Sequence, residues 1–170
     1  MTALTRTPQN TNPLQPTKFL LTFARIPTTQ YFCQEVNIPG VTLGEVDRVT
    51  PFLDMFSPGT KLKYDPLDVT FIVDEALQSW KDMYNWFISI ADPDGFERRD
   101  HPKELQQNKH LSDATLTVLS ALNNPIIRIQ FANLFPLTMN DIKFDTKLSA
   151  ETIITCTATF RYQSYKYLTI

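Results

Sequence analysis

The sequence contains little glycine, histidine or cysteine, and these shortages exclude several classes of function. Only four of the 170 residues are glycine, which argues against a phosphate-binding loop because such loops need backbone that approaches the ligand closely. The two histidines, His101 and His110, lack a cysteine or carboxylate framework at metal-ligand spacing and are expected to be solvated. We therefore expect a protein that is not an enzyme, with no catalytic, cofactor-binding or metal-binding residues.

The two cysteines, Cys33 and Cys156, lack the partners that reactive thiols need. A nucleophilic cysteine is activated by a nearby histidine or cation, and neither histidine lies near them in the sequence. A disulfide between them would require neighbouring strands, and a reducing compartment disfavours it. Both are predicted to be buried, unreactive thiols.

Long apolar runs and an excess of one charge are also missing. No segment is long and apolar enough to span a bilayer, and the N-terminus has no signal-peptide core. We therefore expect a soluble, intracellular protein without membrane insertion. The formal net charge of −2 argues against tight nucleic-acid binding, which needs clustered basic residues. An OB-like nucleic-acid surface stays an alternative, and it would use Lys61, Lys63, Arg128 and Arg161.

The sequence does contain a series of strand patterns. Period-two alternation with β-branched residues predicts strands over 18–24, 30–36, 42–49, 60–64, 67–74, 114–121, 126–134 and 151–163. The first two are expected to pair across a turn near Pro27, and "NNP" at 123–125 is expected to be a hairpin turn. The last strand has the most regular alternation of apolar residues and threonines.

One helix is predicted over 75–92, with Asp74 placed to cap it. Its apolar face is expected to consist of Leu77, Trp80, Tyr84, Phe87, Ile88 and Ala91. Met83 and Trp86 lie off this face. Together the patterns predict a mainly β (α+β) fold, an antiparallel β-sandwich or open barrel of about seven or eight strands with one flanking α-helix.

The expected organisation is a polar N-terminal arm over 1–17 followed by a single β domain over 18–170. Within the domain we expect a long hairpin or loop near 42–64 and a polar surface excursion over 92–113. The predicted loop "PFLDMFSPG" at 51–59 carries Phe52, Leu53, Met55 and Phe56. Because exposed loops rarely hold so many large apolar residues, this one either folds back on its own core or docks on a partner.

The order of these segments resembles the tail tube protein family of contractile-tailed bacteriophages, from about Pro16 to Tyr165. Five features of the family have counterparts in this sequence. They are an opening strand, a Pro-Gly-type break, a strand followed by Asp-Glu and a helix, a late strand with a corner, and a Thr-rich closing strand. The counterparts are "PTKFLLTF", "FCQEVNIPGV", "YDPLDVTFIVDEALQSWKDMYNWF", "IQFANLFPLTMNDIKFD" and "TIITCTATFRYQSY". Baseplate tube initiators, tail terminators and type VI secretion tube proteins have related folds.

The resemblance implies a structural virion protein that forms hexameric rings, whose stacking builds the inner tail tube for DNA ejection. Its implied partners are other copies of itself, the tail sheath protein and baseplate tube-initiator proteins, and genomic DNA would pass through the lumen without specific binding. It would be located in the virion tail after assembly in the host cytoplasm. The alternative is a baseplate tube initiator or tail-completion protein of the same fold, whose single ring nucleates the tube.

In this family a long hairpin reaches toward neighbouring subunits, and segment 51–59 falls at its place in the order of elements. The resemblance therefore implies that Phe52, Leu53, Met55 and Phe56 make intersubunit contacts. Pro39-Gly40 is expected to be the corner where a strand of the domain's own sheet ends and this hairpin begins.

Overall fold

The structure is a computed structural model, and it describes residues 12–26, 32–49, 51–91, 93, 95, 110–147, 149 and 151–169. Within these residues it contains nine β-strands and one α-helix, which confirms the predicted mainly β fold. The elements are β1 (Phe19–Phe23), β2 (Cys33–Val36), β3 (Val41–Val49), β4 (Asp54–Tyr64), β5 (Leu67–Ile72), α1 (Gln78–Ile90), β6 (Ser112–Leu119), β7 (Pro125–Met139), β8 (Thr155–Arg161) and β9 (Ser164–Thr169). β9 lies in the aromatic C-terminal segment, beyond the predicted strands.

Seven strands form one antiparallel sheet in the order β1-β6-β7-β8-β5-β2, with β9 paired to β7. The long strand β7 joins two parts of this sheet. Its residues 127–131 pair with β6 on one side and β9 on the other, whereas residues 135–139 pair with β8. Between them Asn133 has φ of 55°, a left-handed conformation that Asn adopts more readily than most residues. The point where β7 changes its pairing partners therefore coincides with an Asn, a residue that tolerates the left-handed backbone conformation found there.

The core follows the alternation of the central strands. Leu67, Val69 and Phe71 of β5 are completely buried, and Ala158 and Phe160 of β8 pack with them. α1 packs against the same cluster, where the Trp86 and Phe160 ring centroids lie 5.9 Å apart. The period-two patterns thus identify the inward-facing residues of these strands correctly.

The buried face of α1 differs from the predicted one. Ser79, Met83 and Trp86, which lie off the predicted face, are buried. Of the predicted face, Ile88 is also buried and Trp80 and Phe87 are half-buried against the core, whereas Tyr84 is 42% exposed. The helix carries two apolar stripes, and periodicity shows that stripes exist without showing which one meets the sheet. The prediction is therefore wrong in part, because the stripe that includes Trp86 is buried most deeply and only some residues of the predicted stripe reach the core.

Asp74 caps α1 as predicted. Its carboxylate accepts hydrogen bonds from the backbone N–H groups of Gln78 and Ser79, each at 3.0 Å, and from the Ser79 hydroxyl at 2.8 Å. These bonds, led by the one from the Ser79 backbone, lower the pKa of Asp74 to about 2. An anionic cap at the positive end of a helix is favourable, which explains this acidic residue without catalysis.

Three predictions about pairing and boundaries are wrong. β1 pairs with β6 and β2 pairs with β5, so these strands do not form a hairpin across Pro27. Segment 51–59 is not a loop throughout, because β4 already begins at Asp54. The polar excursion ends before β6, which starts at Ser112; its described residues are 93, 95, 110 and 111, and the rest, including His101, lies outside the described residues. Alternation of apolar and polar residues identifies a strand, but it is compatible with any antiparallel neighbour. The pattern therefore does not predict which distant strands pair.

Candidate functional site: an exposed hairpin and an apolar groove

β3 and β4 form a two-stranded sheet separate from the main one. Every described side chain of β3 is exposed, and on β4 only Ser57, Gly59 and Tyr64 are partly buried. A two-stranded hairpin exposed on both faces is marginally stable in water. Its geometry is therefore suited to packing against another chain.

Two of the four glycines allow the strands of this hairpin to approach closely. The register shifts between Leu43 and Glu45, and a Cβ atom on Gly59 would lie 2.6 Å from the carbonyl oxygen of Gly44. No side chain fits at that distance. Such an irregularity increases local twist and bends the strand, so these glycines shape the hairpin.

The far end of the hairpin carries the predicted contact residues. We define the hairpin tip as Phe52, Leu53, Met55 and Phe56, whose exposed fractions are 98%, 69%, 54% and 68%. The interpretation that this segment folds back on its own core is therefore wrong. The intersubunit role of these residues stays a prediction.

Hydrogen bonds anchor the other end of the hairpin to the main sheet. We define the hairpin root as Pro39, Gly40, Tyr64 and Asp65. The Asp65 N–H donates to the Gly40 carbonyl at 3.0 Å. The Tyr162 hydroxyl donates to the Asp65 carbonyl at 2.8 Å, and the Tyr165 hydroxyl donates to the Pro39 carbonyl at 3.4 Å. The Pro39-Gly40 corner thus lies where β2 has ended and the hairpin begins.

Aromatic rings surround the hairpin root. The Tyr64 ring centroid lies 5.9 Å from that of Tyr162 and 5.2 Å from that of Tyr165, and Tyr162 meets Phe131 at 5.1 Å. Burial, with smaller contributions from neighbouring groups, raises the pKa of Tyr162 to about 12. Its hydroxyl therefore stays protonated and keeps donating at neutral pH. The Arg161 guanidinium adds a hydrogen bond to the Tyr64 carbonyl at 3.3 Å.

An open apolar groove lies beside the first half of α1. The rings of Trp80 and Tyr84 stack along it, with centroids 5.2 Å apart and planes 7° from parallel. The groove has a volume of about 550 Å³, and Leu77, Ile142 and Phe144 also line it. A second cavity of about 450 Å³ lies next to it, because the same three residues line both. We call these residues, Leu77, Trp80, Tyr84, Ile142 and Phe144, the helix groove.

The structure separates the two cysteines. Cys33 on β2 lies opposite Phe71 on β5, which in turn lies opposite Cys156 on β8. Both thiols are free; Cys156 is buried as predicted, whereas Cys33 is only half-buried. Burial raises the pKa of Cys33 to about 11 and raises that of Cys156 above its ordinary value. Neither residue has the lowered pKa of a nucleophilic cysteine.

The basic residues of the nucleic-acid alternative lie on three different strands, on β4 of the hairpin as well as on β7 and β8 of the main sheet. Lys61 and Lys63 belong to the exposed hairpin, Arg128 lies on β7, and Arg161 is engaged at the hairpin root. They are therefore divided between two sheets, whereas strand-face nucleic-acid binding needs a continuous groove of basic and aromatic side chains.

His110 contacts the helix through its backbone. The Trp86 indole N–H donates to the His110 carbonyl at 2.9 Å, and the His110 Nδ1 atom is buried without a hydrogen-bond partner among the described residues. The expectation of a fully solvated His110 is thus wrong. The described residues contain no group of three or more His, Cys, Asp or Glu side chains arranged to hold a metal ion. No helix in the same part of the chain is long and apolar enough to cross a membrane.

Two parts of this surface were missed in the sequence: the aromatic root and the helix groove. The Tyr-rich C-terminal segment was the available signal for the root, because it supplies Tyr165 on β9. The second apolar stripe of the helix was the signal for the groove. Both depend on which distant strands become neighbours, so their function could not be assigned from local pattern alone.

Comparisons with known proteins agree with this architecture. The phage tail tube protein family matches residues 15–168. The tail tube terminator protein of Enterobacteria phage T4 is 29% identical over 162 residues, which cover 91% of this chain and 89% of that protein. The tube-terminating cap of the anti-feeding prophage has a TM-score of 0.66 at 13% identity, with 100% of both chains covered. The PVC sheath/tube terminator of an extracellular contractile injection system has a TM-score of 0.62 at 13% identity, over 92% of this chain and 97% of that one.

The structural similarities establish a common fold, and the family match spans nearly the whole chain. The chain therefore belongs to the phage tail tube protein family.

Proposed function

We propose that the chain is a tail tube terminator, the subunit of a ring that ends the inner tube of a contractile phage tail. The observation that carries this proposal is the 29% identity to the T4 tail tube terminator along most of both proteins. Fold similarity does not separate the two roles, because a chain of the PVC sheath-tube complex has a TM-score of 0.63. The terminator is therefore preferred to the stacking tube subunit on sequence identity.

Assembly into a ring is supported by the open edges of the main sheet. β1 and β2 end its strand order, and among the described residues β9 pairs with β7 alone. Unpaired strand edges favour association with another chain, and a closed ring removes them. A hexameric ring follows from the family resemblance, and native mass spectrometry of the purified chain measures its copy number.

In this proposal the ring contacts the last ring of the tail tube and the end of the sheath, and genomic DNA passes through its opening. The net charge of −2 suits passage, since retention of DNA depends on clustered basic side chains. The tail tube family is structural, so the proposed role includes no catalytic step. The proposed location is the virion tail, with assembly in the host cytoplasm.

The test is negative-stain electron microscopy of the purified chain, alone and mixed with the tail tube subunit of its own phage. A terminator forms single rings alone and shortens the growing tubes in proportion to its concentration, with rings bound at tube ends. Phe56→Asp protein at the same concentration is the control, because its charged tip should neither assemble nor shorten tubes. Long hollow tubes made by the chain alone would identify a tube subunit, and tubes growing from its rings would identify an initiator. Either result would overturn the terminator.

A further inference from the structure

We propose that the helix groove is a docking site for a basic amphipathic segment of another protein, whose apolar side chains fill the groove while its lysines or arginines meet acidic side chains at the rim. The proposal goes beyond the terminator role, because the groove is formed within a single copy. Its walls are apolar and open to solvent, with Phe144 78% exposed and Tyr84 42% exposed. Contiguous exposed apolar surface marks interaction sites.

The charged residues that line the groove and the cavity next to it are all acidic. Asp141 lines the groove, and Asp74 and Glu75 line the neighbouring cavity. Among the described residues no lysine or arginine lines either one. Asp74 is already engaged as the helix cap, so Glu75 and Asp141, which are both exposed, are the side chains that we expect to meet the basic residues of the partner.

Two nearby lysines leave this acidic rim in place. Lys81 on α1 donates from its Nζ atom to the Ala76 carbonyl at 3.0 Å. Lys143 lines a third cavity together with Asp145, so that cavity is balanced in charge. Electrostatic complementarity therefore favours a cationic partner. Nucleic acid and anionic membrane surfaces have the same sign of charge as the rim and are disfavoured.

The backbone between the two cavities has an unusual geometry. Leu77 lines both of them, and its φ of 55° and ψ of 25° are left-handed, a conformation that a residue with a Cβ atom rarely adopts. Its N–H donates to the Asp74 carbonyl at 2.9 Å, and its carbonyl accepts from the Lys81 N–H at 2.8 Å. Strained residues held in this way cluster at ligand-binding sites, which supports a binding role for this part of the surface.

The groove also has the size of a binding site. The groove and the neighbouring cavity have volumes of about 550 and 450 Å³, and ligand sites typically have ~300–1,000 Å³. Amphipathic segments bind such grooves by inserting a few apolar anchors from one face. The rings of Trp80 and Tyr84, with planes 7° from parallel, form a flat wall on which an aliphatic or aromatic anchor packs well.

Three synthetic peptides test the chemistry of the partner. Each has about 14 residues, which is about 21 Å as a helix: an amphipathic Leu/Lys peptide, the same peptide with Glu for every Lys, and the same peptide with Ser for every Leu. Isothermal titration calorimetry with the full chain measures their affinities. We expect the Leu/Lys peptide to bind at least tenfold more tightly than either of the others, and more weakly at high salt. Equal binding of the Leu/Glu or the Lys/Ser peptide would overturn the proposal.

Two substitutions at exposed positions test whether the Leu/Lys peptide occupies the groove. Asp141→Lys reverses a rim charge and Phe144→Ser removes an apolar wall, and each should weaken binding at least tenfold. The controls Asp47→Lys on β3 and Leu122→Ser in the turn between β6 and β7 make the same changes at exposed positions elsewhere, and should bind as the unchanged chain does. Equal losses in the controls, or undiminished binding to folded groove variants, would contradict the site. Circular dichroism melting verifies folding.

An array of overlapping peptides from the other tail proteins of the same phage identifies the natural partner. We expect the unchanged chain to bind segments that combine large apolar residues with lysine or arginine, and the Asp141→Lys chain to lose them. Bound segments without basic residues, or the lack of any segment whose binding depends on Asp141, would overturn the proposal.

Ring formation by the groove variants separates this proposal from the terminator function. We expect Asp141→Lys and Phe144→Ser chains to form the same rings as the unchanged chain in electron micrographs, because the groove binds another protein. Loss of rings in either folded variant would assign the groove to a contact between copies and overturn the docking site. Groove-dependent peptide binding by a chain that does not shorten tubes would retain the docking site and remove the terminator function.

Discussion

Removal of a single hydroxyl at the hairpin root should loosen the attachment of the hairpin measurably. Tyr162 is 9% exposed, and its hydroxyl donates to the Asp65 carbonyl at 2.8 Å, a good length for an O–H···O bond. Tyr162→Phe deletes this bond and keeps the ring contacts with Tyr64 and Phe131. The substitution therefore isolates the hydrogen bond from the packing around it.

The expected loss is about 1 kcal/mol of unfolding free energy, because a net hydrogen bond contributes about 0.5–1.5 kcal/mol. Asp65 is exposed, so water can satisfy its carbonyl and the loss stays in this range. For a chain of this size, 1 kcal/mol corresponds to a fall in Tm of roughly 2–4 °C. Tyr165→Phe is the matched control: its hydroxyl lies 3.4 Å from the Pro39 carbonyl, a long hydrogen bond, and its loss should cost less than about 0.5 kcal/mol.

Urea unfolding followed by circular dichroism measures both variants at several protein concentrations, so that a contribution from assembly is recognised. The pH dependence gives a second measure. The pKa of Tyr162 is raised to about 12 in the folded chain, against about 10 when unfolded, so the folded state holds this proton more tightly. The corresponding stability is fully present below pH ~10 and is lost as the pH rises toward ~12. The Tyr162→Phe chain should lack this component of the decline.

Equal unfolding free energies for Tyr162→Phe and the unchanged chain would refute the reasoning, since the bond would then contribute nothing. A larger loss for Tyr165→Phe than for Tyr162→Phe would show that the hairpin is anchored through Pro39 instead. Identical pH profiles above pH ~10 for the unchanged chain and Tyr162→Phe would contradict the burial of the Tyr162 hydroxyl.

Three further predictions concern other parts of the fold. Asp74→Ala removes the helix cap. Because the pKa of Asp74 is lowered to about 2, the stabilising effect of the cap is present above pH ~4 and is lost as the pH falls toward ~2. Denaturation midpoints of the variant and the unchanged chain that differ equally at pH 2 and pH 7 would contradict the cap. Cys33 and Cys156 should react slowly with a thiol reagent at pH 8 in the folded chain and rapidly after unfolding, because their pKa values are raised; rapid labelling of the folded chain would contradict the raised pKa values. Asn133→Val should lower the unfolding free energy by about 1–3 kcal/mol, since a β-branched residue is strained at φ 55°; an unchanged midpoint in urea would show that β7 tolerates another conformation there.

Much of the local structure is predictable because it depends on residues close together in the chain. The alternation in β5 and β8 identifies Val69, Phe71 and Phe160 as inward-facing before any partner is known, since strand period alone decides the side. Asp74 is recognised as a cap from its position before the helix. The match of segment order to the tail tube family likewise requires only the linear sequence.

The hairpin shows what local sequence patterns do not predict. Four large apolar residues in 51–59 predict a covered segment, and the sequence leaves open whether its own core or another chain covers it. Asp54 looks like a loop residue but begins β4, because a bulged hairpin carries few of the alternating signals that identify a strand. Only the tertiary structure shows that the tip stays exposed.

The sequence by itself determined the position of most strands, which sides of the central strands are apolar, and the family to which the chain belongs, because these depend on local period and on the order of segments. The tertiary structure decided which strands pair, which stripe of α1 is buried, and how Tyr162 and Tyr165 meet the Pro39-Gly40 corner. These features depend on contacts between residues that are far apart in the sequence, such as Tyr162 and Asp65, which are about a hundred positions apart. Many antiparallel pairings satisfy the same alternation, and only the packing of the whole core selects among them.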